Sequence, residues 1–160
     1  MRQRQCDTVQ NRTWMCEDDI TLLMKLYETL KLPLEFLYFL MERERDNTFV
    51  AILIQTSPEE DMHALLQNNK RGTDLLFEID RQEGMYALIC QGTRVDGGYR
   101  FVERLIKNVM KELTHKTYFI ELEVASTKYD LKTLLFILFE MYLKAREQNR
   151  SGEIIYKSIY

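Results

Sequence analysis

The chain has 160 residues, 46% of them hydrophobic, with six glycines and two prolines. That composition packs a core rather than leaving a disordered or fibrous chain, and the length fits one domain. A formal net charge of −3 and a pI near 5.5 argue against a general nucleic-acid binder, which would carry a basic face.

Residues 1–16 are polar and aperiodic and read as a flexible arm; Arg2 and Arg4 are not followed by the apolar run of a secretion signal. From Asp19 onward Ile20, Leu23, Tyr27 and Leu30 recur at helical spacing. Pro33 fits the first turn of a second helix, from about Leu34 to Arg45, with Phe36, Leu37, Phe39 and Leu40 on its apolar side. Two short helices are therefore expected ahead of the first strand, which runs from Thr48 to Gln55. Ser57, Pro58 and Glu60 spell a helix start that runs out at Asn68-Asn69-Lys70. Leu75 to Asp80 and Met85 to Cys90 read as two strands joined by the polar turn Arg81 to Gly84, a hairpin.

Asp96-Gly97-Gly98 breaks the chain before a periodic helix from Tyr99 to Leu113, with Phe101, Leu105, Val109 and Leu113 on one face. Thr117 to Val124 alternates as a strand. Asp130 caps a long apolar helix ending near Gln148, and Glu153 to Ile159 makes the last strand. After the leading helices the order is β-α-β-β-α-β-α-β. A hairpin inside α/β alternation implies an α+β fold, a ferredoxin-like palm with a mixed central sheet flanked by helices, over residues 17–160.

Residue chemistry narrows the function. Cys6, Cys16 and Cys90 form no CxxC pair and read as reduced thiols of a cytoplasmic protein. His63 and His115 lie on different elements without metal-ligand spacing and read as solvent-facing. No P-loop, Rossmann glycine pattern or nucleophile elbow is present. The most apolar stretch, Leu131 to Leu143, contains Lys132 and Glu140 and is shorter than the roughly 20 residues of a membrane span, so no membrane insertion is expected.

Three segments carry a family likeness. Arg71-Gly72-Thr73-Asp74 is an RxxD followed, after five residues, by the hairpin turn Asp80-Arg81-Gln82-Glu83-Gly84. Val102-Glu103-Arg104-Leu105 lies on the next helix, and Met141-Tyr142-Leu143-Lys144-Ala145-Arg146-Glu147-Gln148-Asn149 ends the last. In this order the three resemble the GGDEF domain of diguanylate cyclases, from about Asp18 to Tyr156, with Arg146 where the family usually has lysine.

The resemblance also implies a chain that has lost catalysis. A cyclase holds two divalent metals with carboxylates against a nucleoside triphosphate. Gln55 stands where the family has a metal-binding aspartate, and Asp80-Arg81 replace the two hairpin glycines that let backbone approach nucleotide. Glu83 is the acid that remains there. The stretch from Gln55 to Arg71 is short for the family's phosphate loop. The family's entry motif reads Asp18-Asp19-Ile20-Thr21-Leu22-Leu23-Met24-Lys25, without its glycine and asparagine. No metal, cofactor or catalytic residue is therefore expected.

What the resemblance keeps is the RxxD site for cyclic di-GMP, with Arg71, Asp74 and Arg104 as ligand-binding residues. Arginine forks onto guanine O6 and N7 or phosphate oxygens and stacks on bases, and a carboxylate accepts from guanine N1 and N2 hydrogens. The family site commonly takes an intercalated ligand dimer, which makes Lys70, Arg100 and Lys107 auxiliary candidates. The implied function is a cyclic di-GMP receptor acting on an output protein or its own second protomer. The alternatives are a ligand-free interaction module, an Arg71–Asp74 pair that merely closes a polar turn, and residual GTP binding.

Overall fold

Leu22, Leu26, Leu30, Leu34, Leu37 and Met41 recur every three or four residues, and this stripe decides the first element. In the computed structural model, which describes residues 15–44, 47–109 and 114–160, one helix, α1 (Glu17–Arg43), continues through Pro33. The expected pair of helices is corrected to one. A proline inside a helix costs about 3 kcal/mol, through a missing N–H and a clash with the preceding turn. Each buried leucine returns about 1.5–3 kcal/mol, and the stripe continues on both sides of the proline. Burial wins. The residues expected on the apolar side divide: Leu30 and Leu37 are buried, while Ile20, Phe36 and Phe39 face solvent. Residues 1–14 of the expected arm lie outside the described residues.

The remaining elements are β1 (Phe49–Gln55), α2 (Met62–Asn69), β2 (Leu75–Asp80), β3 (Met85–Gln91), α3 (Val95–Val109), β4 (Tyr118–Val124), α4 (Leu131–Glu147) and β5 (Ile154–Ile159). The sheet order is β2-β3-β1-β4-β5. β1 runs antiparallel to both β3 and β4, and β2 runs antiparallel to β3. The first four strands thus have ferredoxin-like order, and α4 crosses over to lay β5 parallel to β4. The fold is α+β, with a mixed sheet between helices, as the element order implies.

Alternation along β1 separates two cores. Phe49, Ala51 and Leu53 face the helices α1 and α4, while Val50, Ile52 and Ile54 face α2 and α3. Among the described residues no helix is long and apolar enough to cross a membrane.

Three local expectations change. Helix α2 starts at Met62, capped by Asp61, whose carboxylate accepts the Ala64 N–H at 3.4 Å. Ser57–Glu60 forms a turn instead, because the Glu60 carboxylate reaches away to the Thr114 N–H at 3.4 Å and His115 Nδ1 at 2.9 Å. Helix α3 starts at Val95, so Gly97 and Gly98 lie in its first turn rather than before it. A Cβ on Gly98 would sit 3.0 Å from the Val50 side chain and closer still to Glu121 Oε1, so glycine is what lets α3 approach the sheet. The expected end of that helix at Leu113 lies outside the described residues. Finally, Cys16 is disulfide-bonded, contrary to three reduced thiols, whereas Cys90 is free and buried; cysteine spacing alone does not say which thiols a fold brings together.

Candidate functional site

Arg71 and Asp74 meet at the entry to β2, where a tight turn (Asp74 N–H to Arg71 C=O, 3.1 Å) folds the second residue back on the first. The Asp74 carboxylate accepts the Arg71 backbone N–H at 2.9 Å, Nε at 3.2 and 3.3 Å, and Nη2 at 3.0 Å. Nη2 also donates to Thr93 Oγ1, which in turn donates to the Gln91 carbonyl at 3.2 Å. The end of β3 thereby joins the start of β2.

Burial is uneven across this pair. The Asp74 side chain is 2% exposed and that of Arg71 55%. The hydrogen bond to Asp74 raises the Arg71 pKa above its already high ordinary value. Beneath them the Cys90 thiol is pushed up to about 12, by burial first and then by the charge of Asp74, so it stays protonated. The guanidinium is held by Asp74 and Thr93 with the Cys90 thiol beside it, and more than half of the side chain is exposed.

Arg104 is not drawn into this pair. It is exposed on α3 with its guanidinium 5.7 Å from the Phe101 ring centroid, and no hydrogen bond or ion pair among the described residues joins it to Arg71 or Asp74. Of the auxiliary candidates, Lys70 Nζ reaches the Arg71 carbonyl at 3.4 Å and Lys107 pairs with Glu103 at 3.7 Å. Arg100 is exposed.

The hairpin region is braced by its own polar groups. The Gln55 amide donates to the Thr56 and Glu83 carbonyls, both at 2.9 Å, and the Thr56 N–H donates to the Gly84 carbonyl at 2.9 Å. Asp80 accepts the N–H groups of Gln82 (2.9 Å) and Glu83 (3.1 Å), and its other oxygen takes Lys25 of α1 at 2.6 Å. Gly84 has φ 62°, and a Cβ there would collide with the Thr56 carbonyl oxygen. Gly84→Ala is therefore expected to lower stability by about 2 kcal/mol or more, from left-handed strain and the backbone collision together. A urea midpoint unchanged from wild type would refute this packing of the turn.

A cleft of about 420 Å³ opens over the hairpin, lined by Glu59, Glu60, Asp61, Glu78, Arg81 and Tyr86 among others. His115 clamps its rim, with Nε2 3.1 Å from Glu59 and Nδ1 2.9 Å from Glu60. His115 keeps 31% of its side chain in solvent, and the chain before β4 passes beside the Ser57–Asp61 turn and so sets the ring between the two carboxylates. The Glu60 hydrogen bond, with the charge of Glu59 behind it, holds the His115 pKa above its ordinary value. His63 is exposed, its ring 6.2 Å from Tyr86.

One buried acid was not legible as special. Glu121 of β4 is 0% exposed, and among the described residues neither carboxylate oxygen has a hydrogen-bond partner of acceptable geometry. Its pKa is pushed up to about 8, by burial first and then by Glu123; the Tyr99 N–H draws it back only in part. Among the described residues no group of three or more His, Cys, Asp or Glu side chains could hold a metal ion.

No family model matches the chain, and no curated protein sequence matches it. Among solved structures it is similar to PelD 158-CT from Pseudomonas aeruginosa PAO1, at 15% identity and a TM-score of 0.46, over 83% of this chain and 48% of that one. The chain thus spans about half the length of that structure, and a likeness of that size brings no function with it.

Proposed function

We propose that the chain is a non-catalytic receptor for cyclic di-GMP that binds through Arg71, Asp74 and Arg104 and signals to an output partner. The observation that carries this reading is the state of Arg71. Its guanidinium is fixed by a buried carboxylate and a threonine, yet more than half of the side chain is exposed. A planar fork pre-set in one orientation loses little entropy on meeting a phosphate or a guanine edge. Asp74 then serves first to orient Arg71, and it contacts guanine only if the ion pair opens. Arg104 adds its cation from α3 once ligand spans the two elements.

Non-catalysis belongs to the same reading. Gln55 cannot replace a carboxylate on a catalytic magnesium, and its amide is already engaged in bracing the hairpin.

Titration calorimetry tests the proposal. Cyclic di-GMP is expected to bind the wild type in the micromolar range, and Arg104→Ala to weaken binding at least tenfold, about 1.4 kcal/mol, with melting temperature unchanged. Arg71→Ala should abolish binding. No heat from the wild type at tens of micromolar ligand ends the idea.

A second reading has an observation of its own. The Arg71–Asp74 pair is closed on itself at 3.0 Å, which is enough to explain both residues as a turn lock. The chain would then be a ligand-free interaction module, and cyclic di-GMP would leave its melting temperature where it was.

A further inference from the structure

Helix α1 buries one side and leaves a second apolar stripe in solvent. Leu32, Phe36 and Phe39 are 75%, 62% and 48% exposed, respectively. Three such side chains present apolar surface on the order of 300 Å², within the range of patches that mark interaction sites. With spacings of four and three residues they lie along one line of the helix, and the line continues to Glu28 on one side and Arg43 on the other, both exposed. The stripe therefore reads acid, three large apolar residues, base, over about 22 Å of helix. Arg43 already covers one end, its guanidinium 4.5 Å from the Phe39 ring centroid.

We propose that this stripe binds the same stripe of a second copy of the chain, with the two α1 helices antiparallel. The pattern is self-complementary only in that direction. A two-fold axis near Phe36 sets Phe36 beside its symmetry mate and Leu32 against Phe39 of the second copy. It also brings each Glu28 to the Arg43 of the other copy. A parallel arrangement would put acid on acid and base on base. The patch is smaller than a standard interface, so the dimer forms and dissociates with concentration rather than being permanent. It requires no ligand and does not rest on the cyclic di-GMP reading.

Sedimentation equilibrium of the full chain tests this over low to high micromolar concentrations. The weight-average mass is expected to rise from one chain toward two, and Phe36→Glu should hold it at one with melting temperature unchanged. Glu28→Arg and Arg43→Glu should each weaken dimerisation at least tenfold by facing like charges. The double variant Glu28→Arg/Arg43→Glu should restore it to within about threefold, since swapping both ends preserves the antiparallel complement. A wild type that stays monomeric throughout overturns the proposal and leaves the stripe to another protein. A dimer indifferent to Phe36→Glu places the interface elsewhere. A dimer lost in both single variants and not recovered in the double overturns the antiparallel pairing.

Discussion

Arg146→Ala is expected to lower the unfolding free energy by about 3–5 kcal/mol, the usual cost of removing one partner from a buried ion pair. Arg146 of α4 forks onto Asp19 of α1, with Nη1 to Oδ1 at 2.8 Å and Nη2 to Oδ2 at 2.9 Å. The Asp19 side chain is 3% exposed and that of Arg146 25%, so solvent screens this pair far less than a surface bridge. The Cys16 N–H also donates to Asp19 at 3.3 Å, and the Arg146 guanidinium lies 5.4 Å from the Tyr142 ring centroid. The bridge thus ties the first turn of α1 to the last turn of α4, whose shared core includes Leu22, Leu26 and Leu138.

Urea unfolding of Arg146→Ala measures the loss. The double variant Asp19→Asn/Arg146→Met supplies the comparison. Removing both charges avoids a buried carboxylate deprived of its fork, so the double should be more stable than the single. An Arg146→Ala midpoint within experimental error of wild type would show that the bridge contributes nothing.

Glu121→Gln should give the largest change in the dependence of stability on pH. The folded pKa of Glu121 is about 8, against an ordinary 4.5. Between those values the unfolded chain releases the proton and the folded chain keeps it, so stability falls as pH rises from about 4.5 to about 8. At 1.36 kcal/mol per unit the full effect would be on the order of 4–5 kcal/mol, and relaxation around the charge reduces it to about 2–4 kcal/mol. Once ionised, Glu121 meets Glu123 on its own strand and Asp96 of α3, and both oppose its charge. Glutamine imitates the protonated acid at every pH. Glu121→Gln should match wild type near pH 5, exceed it near pH 8, and show a flatter profile between. Parallel melting-temperature profiles for the two proteins from pH 5 to 9 would rule the buried acid out as the cause.

How much of this was written in the sequence varies by element. The strands Leu75–Asp80 and Ile154–Ile159 are bounded by turn residues and carry β-branched or aromatic runs, so local chemistry sets them. Asp130 is a legible cap, and its carboxylate accepts the Thr133 N–H at 2.7 Å. The passage through Pro33 was not legible, because the proline acts locally while the leucine stripe outweighs it only when α4 and the sheet are present to bury it. Nor was the Ser57–Glu60 turn, since Glu60 has a capping spacing whatever happens at Thr114 and His115.

The candidate site divides the same way. Arg71 and Asp74 are three residues apart, and a turn closes that gap, so their pairing followed from spacing. Thr93 holds the same guanidinium from 22 residues away, and only hairpin register brings it there. Arg104 had the composition of a site residue, but α3 packs over β4, β5 and β1 and leaves it exposed.

By itself the sequence determined the order of elements from β1 onward, the approximate ends of the strands and the polar turn at Arg71–Asp74, because those depend on periodicity, turn residues and neighbours within a few residues. The tertiary structure alone decided that α1 is one helix, that Asp19 meets Arg146, and that Glu121 is buried beside Gly98. Each of these turns on surfaces between 23 and 127 residues apart in the chain, where burial and desolvation outweigh local preference.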